Sequence, residues 1–222
     1  MKECRRCGIS VEIPPELQSM LDAEHGPTKQ KAARLVVDLA ASAGASEFTR
    51  CAHAHVSGVS VITGGHGLRR FLSDLSGDPE GTVSIPTTLN SAGCDREQIE
   101  EMGIDYENFL EYQFEIIHAY SELDIDATLS CTPYDRGIEM ESGIGSWAES
   151  NAVCYSNSYT SLMTNRESGL SALATALTGW APLWGLHLEK NRIPNILVKV
   201  EASMENLADW SVLGDWIGMQ IK

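Results

Sequence analysis

The sequence is poor in basic residues and contains no long apolar run. Sixteen lysines and arginines stand against thirty-one aspartates and glutamates in 222 residues, which gives a formal net charge of -15. A field of that sign repels phosphate backbones and anionic membrane surfaces, so nucleic-acid and membrane partners are excluded. No apolar stretch reaches membrane-spanning length, and the first residues lack the apolar centre of a signal peptide. We therefore expect a cytoplasmic protein.

Low-complexity tracts, internal repeats and Gly/Ser- or Pro-rich linkers are also absent. Hydrophobic residues make up 43% of the chain and charged residues 21%, which is typical of a folded globular protein. A chain of this length can bury one substantial core. The sequence therefore gives no support for an internal domain boundary.

Several catalytic and metal-binding signatures are missing. The chain has no dinucleotide GxGxxG in the required register, no P-loop, no HExxH and no GxSxG nucleophile elbow. The six cysteines include one CxxC pair, Cys4 and Cys7, without the second pair that would close a zinc site. Because nothing indicates secretion, we expect reduced thiols or metal ligands rather than disulfides. The CxxC pair is interpreted as an exposed feature without catalytic duty.

Predicted helices and strands alternate along the chain. Apolar spacing predicts helices over 16–25, 28–43, 68–75, 105–123 and 205–217, with two more in SWAESNAVCYSNSY and SGLSALATALTG. Strands are predicted in EFTRCAHAHVS, GTVSIPTTLN, DATLSC and NILVKV. This alternation suits crossover connections, so the predicted fold class is α/β with a largely parallel sheet and flanking helices.

Three polar loops follow predicted strands: GVSVITGGHG, PTTLNSAGCD and CTPYDRG. Ligands of open α/β sheets gather at the carboxyl ends of the strands, so these loops are expected to lie together. Glycines before a helix allow backbone N–H groups to face an anion. From residue type alone, Cys131 is a packed hydrophobe, a metal ligand, or a nucleophile with His66 or His187 as its base.

Five strings, taken in order, resemble the catalytic large subunit of the aconitase X family. They are AHVSGVSVITGGHGLRRFLSDL, VSIPTTLNSAGCD, LSCTPYDRG, GSWAESNAVCYSNSYTSLMTNRESGLSALATALTGWAPLWGLHLEKNR and ILVKVEA. The resemblance covers the chain from about residue 15. We therefore expect a catalytic-type domain over 15–222 with an aconitase-like fold, preceded by an N-terminal extension, 1–14, that contains the CxxC pair.

The resemblance implies an iron–sulfur hydro-lyase that removes water from a 3-hydroxy acid. The archaeal branch of the family, which the strings match best, converts (R)-5-phosphomevalonate to trans-anhydromevalonate 5-phosphate in a modified mevalonate route to isoprenoids. A bacterial branch acts on cis-3-hydroxy-L-proline. This chemistry needs a Lewis-acidic iron for the leaving hydroxyl, a base for the proton α to the carboxylate, and donors that hold the anionic groups.

Site residues carry over from the matching strings. Cys131 is implied as a ligand of a 4Fe–4S cluster, and Glu149 and Ser150 as the catalytic pair of the ESNA string. Glu149 would orient the hydroxyl or move its proton, and Ser150 would donate to an oxyanion. Arg166 is predicted to be buried, and either to neutralise an anion or to hold the ESNA helix. The implied substrate contacts are Gly58, Val59, Ser60, Asn90 and Ser91.

Large subunits of the family are roughly twice as long as this chain. By the resemblance, the other two cluster cysteines and the serine base lie in the part that has no counterpart here. We therefore expect activity to require a chain or segment supplying the C-terminal half, together with an aconitase X small subunit. If such a partner exists, this chain alone should expose a large apolar surface. The candidates for residues of that surface are Trp180, Trp184, Trp210 and Trp216. The alternative is a noncatalytic binding or assembly subunit that keeps the anion crevice without a cluster.

Overall fold

The computed structural model describes residues 2–3, 10–95, 97–98, 101–104, 108–148 and 150–221, with backbone only at 2–3, 10 and 150. The chain divides into two units, Met1–Asn191 and Arg192–Lys222. The strands are β1 (Lys2–Glu3), β2 (Ser10–Val11), β3 (Phe48–Arg50), β4 (His53–Val56), β5 (Thr87–Leu89), β6 (Gly143–Trp147), β7 (Leu162–Arg166) and β8 (Trp180–Pro182). The helices are α1 (Pro15–Leu21), α2 (Gly26–Ala43), α3 (Val61–Ser76), α4 (Phe109–Glu122), α5 (Ser150–Tyr159), α6 (Gly169–Thr178) and α7 (Leu207–Gln220), with 3₁₀ turns at Pro133–Arg136, Gly185–His187 and Glu189–Asn191.

A four-stranded sheet in the first unit has the order β5-β4-β6-β7, and all its neighbouring strands are parallel. The chain adds β5 on one side of β4 and then crosses to add β6 on the other side. Two small antiparallel pairs, β1–β2 and β3–β8, lie outside this sheet. The predicted α/β class with a largely parallel sheet is therefore confirmed.

Helix packing follows the apolar stripes of the sequence. In α2, Ala32, Val36 and Ala40 are fully or almost fully buried at four-residue spacing, and Gly44 ends the helix in the left-handed region with φ 71°. Nearly every residue of α6 is buried, because this helix lies between α2 and the sheet. The main core is completed by Leu17, Leu72, Leu89, Ile116 and Leu123, all at most 1% exposed.

Two of the predicted strands are not strands in the structure. DATLSC forms a single parallel bridge, between Thr88 and Asp126. The backbone of Leu129 has φ 46°, which breaks the extended geometry, and the Thr128 side chain, not its backbone N–H, donates to the Leu89 carbonyl at 2.8 Å. NILVKV has no partner strand within the described residues, and residues 195–200 are all exposed.

The remaining differences concern where elements begin. The segment SWAESNAVCYSNSY was predicted to be helical from its start. Its first two residues belong to β6 instead, and α5 begins at Ser150. β7 has no counterpart among the predicted strands. The predicted C-terminal helix is confirmed as α7, whose N-cap Asn206 accepts a hydrogen bond from Ala208 N at 2.8 Å.

Cys4 and Cys7 lie outside the described residues, and the division at residue 15 stays a prediction. None of the described helices is long and apolar enough to cross a membrane.

Candidate active site

Four parallel strands end at one edge of the sheet, and the segments after them contain the residues implied by the sequence. Gly58–Ser60 follow β4, Asn90 and Ser91 follow β5, residues 148–150 follow β6, and Arg166 is the last residue of β7. The strand order reverses between β4 and β6, which is where open α/β sheets bind their ligands. The fold therefore brings these segments to one crevice.

The glycine loop after β4 is held rigidly by one buried side chain. Gly58 has φ 86°, a left-handed conformation that a residue with a Cβ adopts only under strain. Gln113 of α4, only 1% exposed, donates from Nε2 to Val59 O at 2.8 Å and accepts from Val61 N at 3.1 Å. The sequence argument missed Gln113, although a glutamine between Phe109 and Ile117 on the apolar face of a predicted helix is a recognisable signal.

Helix α3 begins inside the loop predicted from the sequence, immediately after Ser60. The Ser60 hydroxyl accepts a hydrogen bond from Ile62 N at 3.2 Å and so caps the helix. An accepting hydroxyl keeps its own proton for donation to a ligand. The N-termini of α5 and α6, at Ser150 and Gly169, also lie at this edge, because both helices follow parallel strands. The backbone of α3 breaks at Gly65, with φ 57° and ψ -162°, so its first segment is a single turn. The N-termini of α5 and α6 are therefore the ones that make this edge favourable for anions.

The loop after β5 packs directly against the start of α3. A Cβ built on Gly93 would overlap the side chain of Ser60, so the two loops are in contact. Asn90 N donates to Val56 O at 2.9 Å, and Asn90 Oδ1 accepts from Ser91 N at 2.8 Å. These contacts place the implied substrate residues of the two loops side by side.

Cys131 reaches the same edge although the segment before it is not a regular strand. Ser130 N donates to Leu89 O at 3.3 Å, and Cys131 Sγ lies 3.3 Å from Ser91 Oγ. The Cys131 side chain is partly buried. Pro133 begins the 3₁₀ turn that follows. The thiol thus lies beside the loop that follows β5.

The turn after Cys131 is joined to α5 by aromatic stacking. The rings of Tyr134 and Tyr155 are stacked with centroids 3.6 Å apart. Burial raises the pKa of Tyr134, and the negative charges of Asp135 and its other neighbours, which include Cys131 and Cys154, raise it further. Both thiols therefore lie within electrostatic range of one phenol.

Cys131 has no companion ligands among the described residues. In that part of the chain, no group of three or more histidine, cysteine, aspartate or glutamate side chains could hold a metal ion. Burial raises the pKa of Cys51 to about 12, so it stays a thiol. Cys94 packs against the main core, whereas Cys154 is exposed on α5. A role of Cys131 as a ligand of an iron–sulfur cluster stays a prediction.

The backbone leading to the ESNA segment is anchored beside the glycine loop. Ala148 N donates to His55 O at 3.0 Å, and Ser57 Oγ donates to Ala148 O at 3.4 Å. Glu149 and the Ser150 side chain lie outside the described residues, so their catalytic roles stay predictions. In the sequence, both residues come shortly after Trp147, the last residue of β6.

Arg166 is exposed rather than buried, which removes the premise that it needs a buried partner. The attachment of α5 to β7 is made by Asn157 instead. Its Nδ2 donates to Thr164 O at 2.9 Å and its Oδ1 accepts from Thr164 N at 3.2 Å. A role for Arg166 in anion neutralisation stays a prediction, and its place at the carboxyl edge is compatible with that role.

One cavity includes none of the predicted site residues in its lining. Its volume is about 620 Å³, and side chains of α3 and α4 line it. Arg69 pairs there with Glu115 at 3.0 Å and stacks over Tyr112 at 3.9 Å. The charge of this arginine is therefore already paired. At the carboxyl edge, another cavity of about 240 Å³ includes Ser57, Gly58 and Gly169 in its lining, but not Ser60, Asn90, Ser91 or Cys131.

Comparison with known proteins gives one consistent result. The aconitase X first domain family matches residues 10–190. Phosphomevalonate dehydratase large subunits are 39% identical in Methanosarcina mazei, over 91% of this chain, and 38% identical in Methanothermobacter thermautotrophicus, over 94%. The cis-3-hydroxy-L-proline dehydratase of Pseudomonas aeruginosa is 33% identical over 87% of this chain and 33% of its own length.

A solved structure agrees with these sequence matches. The crystal structure of Thermococcus kodakaraensis aconitase X in its holo-form superposes with a TM-score of 0.79 at 35% identity, and it covers 95% of this chain and 52% of that one. The chain also spans 50% and 52% of the two archaeal large subunits. It therefore corresponds to about half of the proteins that it matches.

Proposed function

The chain belongs to the aconitase X family, and on that premise we propose that it forms part of an iron–sulfur hydro-lyase that dehydrates (R)-5-phosphomevalonate to trans-anhydromevalonate 5-phosphate. The observation that carries the proposal is the meeting of Gly58–Ser60, Asn90, Ser91 and Cys131 at one sheet edge. The cytoplasmic location and the isoprenoid pathway predicted from the sequence are parts of this proposal.

The residues of this chain bind and orient the substrate. The Ser60 hydroxyl, which accepts from Ile62 N and keeps its own proton, lies at the crevice end of β4 and suits a carboxylate or a phosphate. Val61 N and Ile62 N already donate to Gln113 Oε1 and Ser60 Oγ, so neither counts as a donor to the substrate. Asn90 and Ser91 donate from the neighbouring loop. Glu149 holds the substrate hydroxyl or moves its proton, and Ser150 donates to the developing oxyanion.

Cys131 is the residue that would hold the cluster, because thiolates ligate iron–sulfur centres and its thiol adjoins the substrate loop at Ser91. When bound, a 4Fe–4S cluster supplies an iron that acts as a Lewis acid toward the leaving hydroxyl. The remaining ligands and the base would come from a segment equivalent to the C-terminal half of the large subunit. An aconitase X small subunit would complete the enzyme.

Phosphomevalonate is the favoured substrate over cis-3-hydroxy-L-proline. It carries two anionic groups, which suit an edge where α5 and α6 begin, whereas hydroxyproline carries a cationic amine beside its carboxylate. The archaeal relatives named phosphomevalonate dehydratase are also more similar in sequence. A competition assay with both compounds on the assembled enzyme decides between them, and preferential turnover of hydroxyproline would reverse the assignment.

The central test is iron content and dehydration after anaerobic reconstitution with the complementary half and the small subunit. We expect Cys131→Ala to lose iron and activity, and the control Cys154→Ala, at an exposed thiol of α5, to keep both. A loaded complex that does not dehydrate 5-phosphomevalonate would refute the proposed activity.

A noncatalytic assembly subunit is the alternative, favoured by the lack of a complete ligand set among the described residues. It predicts that Cys131→Ala leaves the iron content of the complex unchanged. Metal analysis of the two cysteine variants therefore separates the two functions.

A further inference from the structure

Residues 192–222 form a separate unit that lies beyond the matched first domain. The family match ends at residue 190, and the division of the structure into two units falls between Asn191 and Arg192. Two independent criteria thus place one boundary at the same point. Relatives continue through this region, because matches to the large subunits extend over as many as 213 residues.

This unit exposes apolar side chains along nearly its whole length. Among the described residues, eleven of the nineteen exposed large hydrophobic side chains belong to it, although it is the much smaller unit. Leu197 is 95% exposed and Leu207 is 85% exposed, and no residue of α7 is buried. Exposed apolar surface of this density marks a site that another polypeptide covers.

The first part of the unit has the pattern of a strand without a sheet. Ile196, Val198 and Val200 are two residues apart, so they would share one face of a strand, with Leu197 and Lys199 on the other. Lys199 Nζ and Glu201 Oε1 are 2.8 Å apart, a contact between side chains two residues apart that extended chain favours. A sheet with an open edge would satisfy the backbone of this segment.

The helix that follows is apolar on every side. Leu207, Trp210, Val212, Trp216 and Met219 fall at helical angles that leave no wide polar face. A helix of this kind is stable inside a core, and a 14-residue helix in water is marginal. We therefore expect α7 to be stable only when other parts of a protein pack against it on several sides, rather than along one stripe.

We propose that residues 193–221 are the first strand and helix of a second domain, and that they dock into the polypeptide segment equivalent to the remaining half of the aconitase X large subunit. The strand segment 195–200 adds to the edge of its sheet, and α7 fills its core. This inference rests on the part of the proposed function that divides the enzyme between two polypeptide segments, and it does not depend on the reaction.

The test mixes the full chain with the C-terminal half of the Methanosarcina mazei large subunit, the part beyond the match. We expect a 1:1 complex by light scattering and slower hydrogen exchange at residues 195–200 and in α7. Trp210→Glu should weaken binding about tenfold or more, as for buried tryptophan anchors. Phe114→Glu, at a partly exposed aromatic residue of α4, is the matched control and should change binding less than about twofold.

Three outcomes would overturn the proposal. One is the absence of a complex, and another is a complex in which residues 195–200 and α7 exchange as fast as in the free chain. The third is self-association of the chain with the same protection pattern, which would make a second copy the occupant. Circular dichroism of both variants confirms that the first unit is still folded. Because no step measures turnover, an inactive but assembled enzyme would refute only the proposed reaction.

Discussion

At the scale of single residues, two buried polar side chains hold the crevice in place. Gln113 hydrogen-bonds the backbone on both sides of Ser60, and His53 accepts a hydrogen bond from Trp147 Nε1 at 3.2 Å. Neither residue is expected to touch the substrate. Both act on the backbone or side chains that present the substrate contacts, so their effects are measurable as stability.

Replacing Gln113 with methionine removes both hydrogen bonds at nearly constant volume. Val59 O and Val61 N then stay buried without partners, which should cost about 2–5 kcal/mol of unfolding free energy. Urea denaturation measures this loss. Gln18→Met, on the surface of α1, serves as the control and should change stability by less than about 0.5 kcal/mol. Equal stability of the Gln113 variant and the wild type would show that the glycine loop does not depend on this contact.

His53 makes stability depend on pH. Burial lowers its pKa to about 4 from an ordinary value of 6.5. Between these values the unfolded chain binds the proton and the folded chain does not, so stability is complete above about pH 6.5 and falls toward pH 4. The loss is about 3 kcal/mol.

Urea titrations from pH 7 to pH 4 on the wild type and His53→Gln test this dependence. The variant should lack most of the slope in this window. His118→Gln, whose side chain is 73% exposed on α4, should keep it. An unchanged slope in His53→Gln would contradict the assignment.

At the scale of elements, the crevice depends on contacts between loops that follow different strands. The loop after β5 contacts the N-terminus of α3, where Gly93 lies against Ser60. The backbone N–H of Ser130 donates to the carbonyl of Leu89 at the end of β5. The backbone of Gly169 similarly lies against Ser57 O. Small residues at these points let the carboxyl ends of the strands converge.

Gly93→Ala should separate the two substrate loops. The new Cβ would overlap the Oγ and Cβ atoms of Ser60. One of the two loops must therefore shift, at a cost of about 1–3 kcal/mol. Gly67→Ala in α3 has open space around the new Cβ and should be neutral or stabilise by up to about 1 kcal/mol. Thermal unfolding compares the two variants, and similar midpoints would argue against tight loop contact.

At the scale of the whole molecule, the two units differ in how they are stabilised. Every residue identified as buried belongs to the first unit, between Val11 and His187. The second unit contributes exposed apolar surface without a core of its own among its described residues. The chain therefore combines a self-sufficient domain with a segment that needs a partner.

Deletion of residues 192–222 should leave the first unit folded. We expect the unfolding free energy of the truncated chain to stay within about 1 kcal/mol of the full chain, because no core residue is removed. Its tendency to aggregate should fall, because most exposed large apolar side chains are gone. Urea denaturation and light scattering check both expectations. A loss of more than about 3 kcal/mol would show that the second unit supports the first.

The sequence by itself determined the fold class, the family and the loops of the site. Strand-to-loop transitions and an ordered set of strings are local features, so the convergence of Gly58–Ser60, Asn90, Ser91 and Cys131 could be predicted without coordinates. Their contacts with a substrate or a cluster stay predictions. The strand predicted at DATLSC was wrong because a single residue, Leu129, leaves the extended region. Backbone bonds to β5 are then made at Asp126 and Ser130, and the Thr128 side chain adds a bond to Leu89 O.

Tertiary structure alone decided which distant residues support those loops. Gln113 lies more than fifty positions from the loop that it holds, and exposure of Arg166 and Cys154 depends on packing that no local pattern contains. Burial and hydrogen-bond partners are properties of the whole packed chain, whereas periodicity and motif order are properties of short segments. That difference is why the sequence located the crevice, and why only the fold showed how it is held and which apolar segment remains uncovered.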